Sequence, residues 1–263
     1  MDSLHAIFLG LLQGLTEFLP VSSSGHLVIA QHFLPGFEQP GVLFDVLLHA
    51  GTMVAVLVYF RSDCRSLALA YFQQGEEAHR YRRLLRLLVF ATLPAAIIGL
   101  AFKDFFIGMF HNLPLVSMML LVTGGLLFFS ERFRNNGGGE KPLTSWHALM
   151  AGVAQAGAIM PGISRSGSTI SVLLFKGIDG ETAARFSFLM ALPVVGGATL
   201  LSLLDWPAMA SADIAVYALG AIMAFLSGLA SIHMLMGVVR RRRLYVFALY
   251  CWLVGGIFFA ISF

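Results

Sequence analysis

The chain has 263 residues, of which 58% are hydrophobic and only 12% charged, and its mean hydropathy is +0.82. Soluble domains carry about 25% charged and about 45–50% apolar residues, so this composition excludes an ordinary soluble enzyme and points to an integral membrane protein. The formal charge of +3 and the pI near 9.1 are not a nucleic-acid footprint, because basic residues in a membrane protein report topology first.

Apolar runs of about 17–24 residues with short polar breaks predict helices rather than a barrel, whose strands would alternate over about ten residues. The N-terminus carries Asp2 where a cleaved signal peptide has a basic region, so none is expected. In chain order, residues 4–12 and about 21–34 are apolar but too short to span a core about 30 Å thick. They suit the two legs of a re-entrant hairpin broken at Pro20 and Gly25. Full spans are expected at about 41–60, 84–102 and 114–131, followed by a polar linker over Glu131–Pro142. The pattern then repeats: short legs at about 145–159 and 167–178, then spans at about 184–204, 213–237 and 243–262. Cys64 and Cys251 lie far apart without metal-type spacing, and no disulfide or redox role is expected of them.

The expected fold is therefore a single all-α polytopic membrane domain over 1–263, with pseudo-repeats at about 1–133 and 143–263. Gly10-Leu11-Leu12-Gln13 matches Gly152-Val153-Ala154-Gln155, and the Pro20 to Gly25 turn matches Pro161 to Gly167 with one residue of slippage. Each half reads as a hairpin plus three spans. Three crossings is odd, so the second half begins on the opposite face, an inverted-topology repeat. Arginines at 61, 65, 80, 82, 83 and 86, then Arg132, Arg134, Lys141, Lys176, Arg185 and Arg240–Arg243, all fall on one face in this layout. Cytoplasmic loops carry the basic excess, so both termini are expected outside, with the two hairpin tips meeting near the midplane.

Ionisable groups inside apolar segments are expensive and are functional candidates by default. The first tip holds Gln13, Glu17, Ser22, Ser23, Ser24, Gly25 and His26; the second holds Ser164, Arg165, Ser166, Gly167 and Ser168. Each joins a Ser/Gly-rich turn to a helix start, where free N–H groups and the helix dipole favour an anion. The serines add donors, Gly25 and Gly167 allow close backbone approach, and Arg165 offers a planar fork suited to phosphate oxygens. Glu17 can take a proton or hold a divalent cation. A hydroxyl, an imidazole, a carboxylate and a guanidinium suffice for phosphoryl transfer. His5, His32, His49, His111 and His233 lack such neighbours and read as structural or interfacial.

The stretch Gln13–His26 and the heptapeptide Pro161–Gly167 resemble the two signature motifs of the bacterial undecaprenyl-pyrophosphate phosphatase family, and chain length and hydropathy layout agree. The resemblance implies an inner-membrane enzyme that converts undecaprenyl pyrophosphate to undecaprenyl phosphate and phosphate, recycling the lipid carrier of cell-wall synthesis. It implies a link to bacitracin resistance, dependence on Mg²⁺ or Ca²⁺, and a site open to the outer face. By motif position, Glu17, Ser23, His26 and Arg165 form the catalytic set, Glu17 doubling as metal ligand. Gln13, Ser22, Ser24, Gly25, Ser164, Ser166 and Gly167 support substrate. The family has Glu or Gln at the first motif position; with Gln13 here, Glu17 carries the acidic role alone. Ser23 assisted by His26 or Glu17, or direct attack by His26, are the alternatives for the nucleophile. A secondary transporter or lipid flippase is the alternative function, since inverted repeats with broken helices are transporter architecture. No nucleic acid is expected as partner; the lipid substrate and the bilayer are, and a homodimer is compatible.

Overall fold

The computed structural model describes residues 2–34, 42–110, 112–133, 141–204 and 211–262. His111, Arg134 and the Asn135–Gly139 run of the linker lie outside them. Among the described residues every regular element is an α-helix. In the first half these are α1 (Ser3–Phe18), α2 (Ser23–Phe33), α3 (Val42–Tyr59), α4 (Arg61–Leu69), α5 (Glu76–Ala101), α6 (Lys103–Met109) and α7 (Leu113–Arg132). The second half holds α8 (Ser145–Gly157), α9 (Arg165–Phe175), α10 (Gly180–Leu204), α11 (Ser211–Arg240) and α12 (Tyr245–Ala260).

Local chemistry sets the breaks. Asp2 caps α1 by accepting from the His5 amide. Leu19, extended ahead of Pro20, ends that helix. Ser22 at φ 69 turns the chain and caps α2 by accepting from the Gly25 amide. In the second half Gly162 at φ 94 makes the turn, and Ser164 caps α9 by accepting from Gly167. Both short-legged hairpins are present.

The spans are less uniform than expected. Helices α5, α7, α10 and α11 are long and apolar enough to cross a membrane by themselves. Helix α3 passes only together with α4, from which it is bent by 82°. Helix α12 has 16 residues, about 24 Å at 1.5 Å per residue. Helix α5 begins at Glu76, well before the expected 84, because its arginine-rich start is helical although its composition resembles a loop.

Packing follows small residues. Helix α1 lies along α11 so closely that a Cβ on Gly10 would overlap the Gly220 carbonyl. Helix α8 lies along α5 in the same way, a Cβ on Gly152 overlapping the Ala91 carbonyl. Gly10 and Gly152 are the matched positions of the two half-chains. Helices α7 and α12 run antiparallel, with Gly124 at Trp252 and Gly255 at the Ser117 carbonyl. Helices α3 and α10 also run antiparallel, Met53 meeting Gly196 and Phe60 meeting Phe188.

The segments assigned to the basic face are tied to one another. Arg240 grips Glu181 at 2.9 and 2.8 Å, Glu131 accepts from the Leu244 amide at 2.6 Å, and Arg83 donates to the Leu143 carbonyl at 2.8 Å. Arg185 pairs with Asp63, whose carboxylate also accepts from Tyr81. The main core, including Phe18, Phe60, Leu87, Ile170, Leu174, Phe186, Phe188 and Val239, fills the molecule between this face and the hairpin tips.

Candidate active site

The two tips touch. A Cβ on Gly25 would sit 3.1 Å from Gly162 Cα, and one on Gly167 would sit 3.3 Å from Pro20 Cβ. These glycines allow the hairpins to cross, which is the close approach they serve in this geometry. Thr123 on α7 braces the second tip by donating to the Gly162 carbonyl and accepting from the Ser164 amide, at 2.9 and 3.0 Å.

Gln13 and Glu17, four residues apart on α1, share a face. Glu17 is 8% exposed, so its charge must be met by protein groups. One carboxylate oxygen, Oε1, accepts from Arg165 Nη2 at 2.5 Å. The other, Oε2, accepts from Ser23 Oγ at 2.6 Å and from Gln13 Nε2 at 3.0 Å. Arg165, the first residue of α9, also donates from Nη1 to the Ser187 carbonyl at 3.4 Å. A hydroxyl from one hairpin and a guanidinium from the other therefore meet on a single carboxylate. Beside Glu17 and Arg165 lies a cavity of about 10 Å³, walled by Phe18, Met53, Val56 and Leu192. That is room for about one water.

His26 is not at the Ser23 hydroxyl in this arrangement. Its Nδ1 lies 2.8 Å from the Ser22 carbonyl, which can only accept, so Nδ1 carries the proton. Its Nε2 lies 2.8 Å from the Tyr250 hydroxyl and, in the neutral ring, accepts from it. The ring thus clamps Ser22, a residue at positive φ, where a non-glycine backbone is strained. Both ring nitrogens are therefore engaged in this arrangement.

The remaining serines divide their duties. Ser22 and Ser164 cap α2 and α9. Ser24 lies 3.2 Å from Ser22, Ser166 lies 3.3 Å from Ser164, and Ser168 Oγ is buried without a partner among the described residues.

Two residues at the site escaped the sequence reading. His49 on α3, set aside there as structural or interfacial, places Nε2 3.7 Å from Glu17 Oε2, with Nδ1 held at 2.8 Å by the Asp45 carbonyl. Tyr250 arrives from α12. Neither stands in a polar motif. For His49 the only available signal was its place as a lone imidazole inside an apolar run.

No group of three or more His, Cys, Asp or Glu side chains suited to a metal occurs among the described residues. Gln13 Oε1, however, is buried without a partner among them, on the amide whose Nε2 donates to Glu17. Two oxygen donors suit a Mg²⁺ ion that takes its other ligands from substrate phosphates and water.

A helical, polytopic membrane protein with a hydroxyl, a carboxylate and a guanidinium meeting between two hairpins is the class defined by this fold and site. The chain belongs to the family described as "Bacitracin resistance protein BacA", which it matches over residues 6–257. It is 81% identical over 262 residues to the undecaprenyl-diphosphatase of Syntrophotalea carbinolica, covering 100% of both chains. It is 44% identical to that of Halothermothrix orenii, over 97% of this chain and 96% of the other. The undecaprenyl-diphosphatase of Methanobrevibacter smithii is 37% identical over 98% and 97% of the two chains.

Proposed function

We propose that the chain is an integral-membrane phosphatase that hydrolyses undecaprenyl pyrophosphate to undecaprenyl phosphate and inorganic phosphate. The full-length similarity to undecaprenyl-diphosphatases supports the reaction. The observation that carries it into the structure is Ser23 Oγ at 2.6 Å from Glu17 Oε2, with Arg165 on the other oxygen. A transporter or flippase needs a binding site but no activated hydroxyl, so this pairing favours hydrolysis.

In this reading the pyrophosphate draws Arg165 onto its oxygens, where the fork neutralises charge developing at phosphorus. Glu17 Oε1 is thereby freed. Ser23 Oγ attacks the terminal phosphorus while its proton passes to Glu17. The bond to the bridging oxygen breaks, and the lipid monophosphate leaves with the bonding pair. Glu17 passes that proton to the departing lipid phosphate. Water then attacks the phosphoserine, giving its proton to the ionised Glu17, which returns it to Ser23 as phosphate departs. His26, backed by Tyr250, positions the turn that carries Ser23. Gln13 and Glu17 would hold a divalent cation, which when bound supplies further charge neutralisation at the phosphates. The amide of Gln13 serves there as an oxygen donor, not as a second base.

The same reading includes the inverted repeat and outward access. The antiparallel packing of the counterpart pairs α3/α10 and α7/α12, and the matched Gly10 and Gly152 contacts, support the repeat. The apolar core between the tips and the basic face supports entry from the opposite, outer side, and the positive-inside rule places the basic face in the cytoplasm of a bacterial inner membrane. Purified protein in detergent, where no vectorial transport can occur, should release phosphate from a polyprenyl pyrophosphate. Binding without release would support the transporter instead.

A further inference from the structure

On the basic face, a cavity of about 400 Å³ opens between α5, α10 and the segment leading into α8. Arg80, Arg83, Lys141 and Arg185 line it, with Leu87, Phe186 and Leu189 on its apolar side. Its volume falls in the range of about 300–1,000 Å³ typical of small-ligand sites. None of Gln13, Glu17, Ser23, His26 or Arg165 contributes to it. We infer that this cavity binds the phosphate headgroup of an anionic lipid, a conclusion independent of the hydrolytic reading.

The lining is built for an anion. Among the described residues its one lining acid, Asp179, is occupied in capping α10, where Oδ1 accepts from the Glu181 and Thr182 amides at 2.9 and 3.1 Å. Arg83 is held by the Leu143 carbonyl, and Arg185 by Asp63 and Tyr81, so both have fixed positions. The Arg185 Nε donor is nevertheless shut away from solvent without a partner among the described residues, a costly state for a guanidinium N–H. Arg80 and Lys141 are exposed, and their charged ends make no hydrogen bond or ion pair with the described residues. Around one cavity stand two anchored cations and two whose charged ends are unpaired among the described residues, a setting that suits phosphate oxygens.

The apolar half selects a lipid over a soluble phosphate. Leu87, Phe186 and Leu189 belong to the main core. They stand where α5 passes from its arginine-rich start into its apolar span. Further along α5 the exposed apolar side chains Val89, Phe90 and Leu93 follow, and the chain of a headgroup held among the cations lies along them. Basic pockets between transmembrane helices at the cytoplasmic surface are a recurring setting for anionic headgroups.

The full-length protein in neutral detergent is titrated with dioleoyl-phosphatidic acid, dioleoyl-phosphatidylcholine and inorganic phosphate, and bound lipid is counted by native mass spectrometry. Phosphatidic acid should bind wild-type protein, and Arg80→Ala/Lys141→Ala should weaken it by about 30-fold, which is about 1 kcal/mol for each surface cation. Hydrolysis of farnesyl pyrophosphate by that variant should stay at the wild-type level. If the alanine pair melts lower, Arg80→Gln/Lys141→Gln, which keeps more of the stems, replaces it. Undiminished binding in the variant, or equal binding of phosphatidylcholine, overturns the site. Inorganic phosphate binding as tightly as phosphatidic acid overturns the lipid assignment and leaves a free-phosphate site.

Discussion

A buried carboxylate holding a cation on one oxygen and a hydroxyl on the other makes separable demands on its neighbours, and Glu17 allows them to be tested one at a time. Ser23→Ala removes the hydroxyl without disturbing the Glu17–Arg165 pair, so kcat should fall by at least about 10³-fold with binding retained. Near-wild-type turnover would move the attack to water. Arg165→Lys keeps a charge for Glu17 but loses the fork, and kcat/KM should drop by about 10²-fold, with Arg165→Ala lower still. Because removing one partner of a buried pair costs about 3–5 kcal/mol, both must be compared at matched thermal stability. Wild-type efficiency in the lysine variant would show that a point charge suffices. Tyr250→Phe leaves His26 Nε2 without its donor, and about a tenfold loss of kcat is expected, the equivalent of one hydrogen bond; an unchanged kcat would make Tyr250 a bystander. Gln13, Glu17, Ser23 and Arg165 could be picked out in the sequence because polar and charged groups in apolar runs are conspicuous. His49 and Tyr250 could not, since each enters from a distant span and acquires its role only through packing. The choice between His26 and Glu17 as the partner of Ser23 stayed open in the sequence, since the spacing does not show that the His26 ring turns to Ser22 and Tyr250 while Ser23 turns to Glu17.

At the scale of elements, the hairpins were readable because their breaks are written in proline, glycine and capping serines. The bend between α3 and α4, the short α6 and the early start of α5 were not, because charged helices and charged loops have the same composition. Close helix contacts were equally hidden, although they decide where α1 and α8 lie. A Cβ at Gly14 would overlap Ser227 and the Ala224 carbonyl, and one at Gly152 would overlap Ala91. Gly14→Val and Gly152→Val should each destabilise by about 1–3 kcal/mol through overpacking. At Gly237 an added Cβ meets nothing within 4 Å. Gly237→Ala should be neutral or stabilise α11 by up to about 1 kcal/mol. Thermal unfolding in detergent separates the cases, and equal melting temperatures for all three would mean that the helices do not approach so closely.

At the scale of the whole molecule, the layout depends on which way the chain first enters the membrane, and helix directions make that a single choice. Helix α1 runs parallel to α11, because Gly10 meets Gly220 and Gly14 meets Ala224 and Gly228. Helix α3 runs parallel to α11 as well, since Gly51 meets Ala221 and Ala55 meets Gly228. Fixing one end of α11 therefore fixes α1 and α3, and Arg240–Arg243 at its C-terminal end favour the cytoplasm. In the proposed orientation Cys64 on α4, just beyond the same end of α3, lies on the cytoplasmic side. It is the partly exposed thiol of the pair, while Cys251 is buried, so a thiol reagent reports Cys64 alone. In intact cells a membrane-impermeant maleimide should leave the protein unmodified, and after lysis it should add a single label that disappears in Cys64→Ser. Labelling in intact cells at the rate seen after lysis would invert the layout. The first hairpin would then open to the cytoplasm, and a lipid pyrophosphate on the outer surface could not reach Ser23.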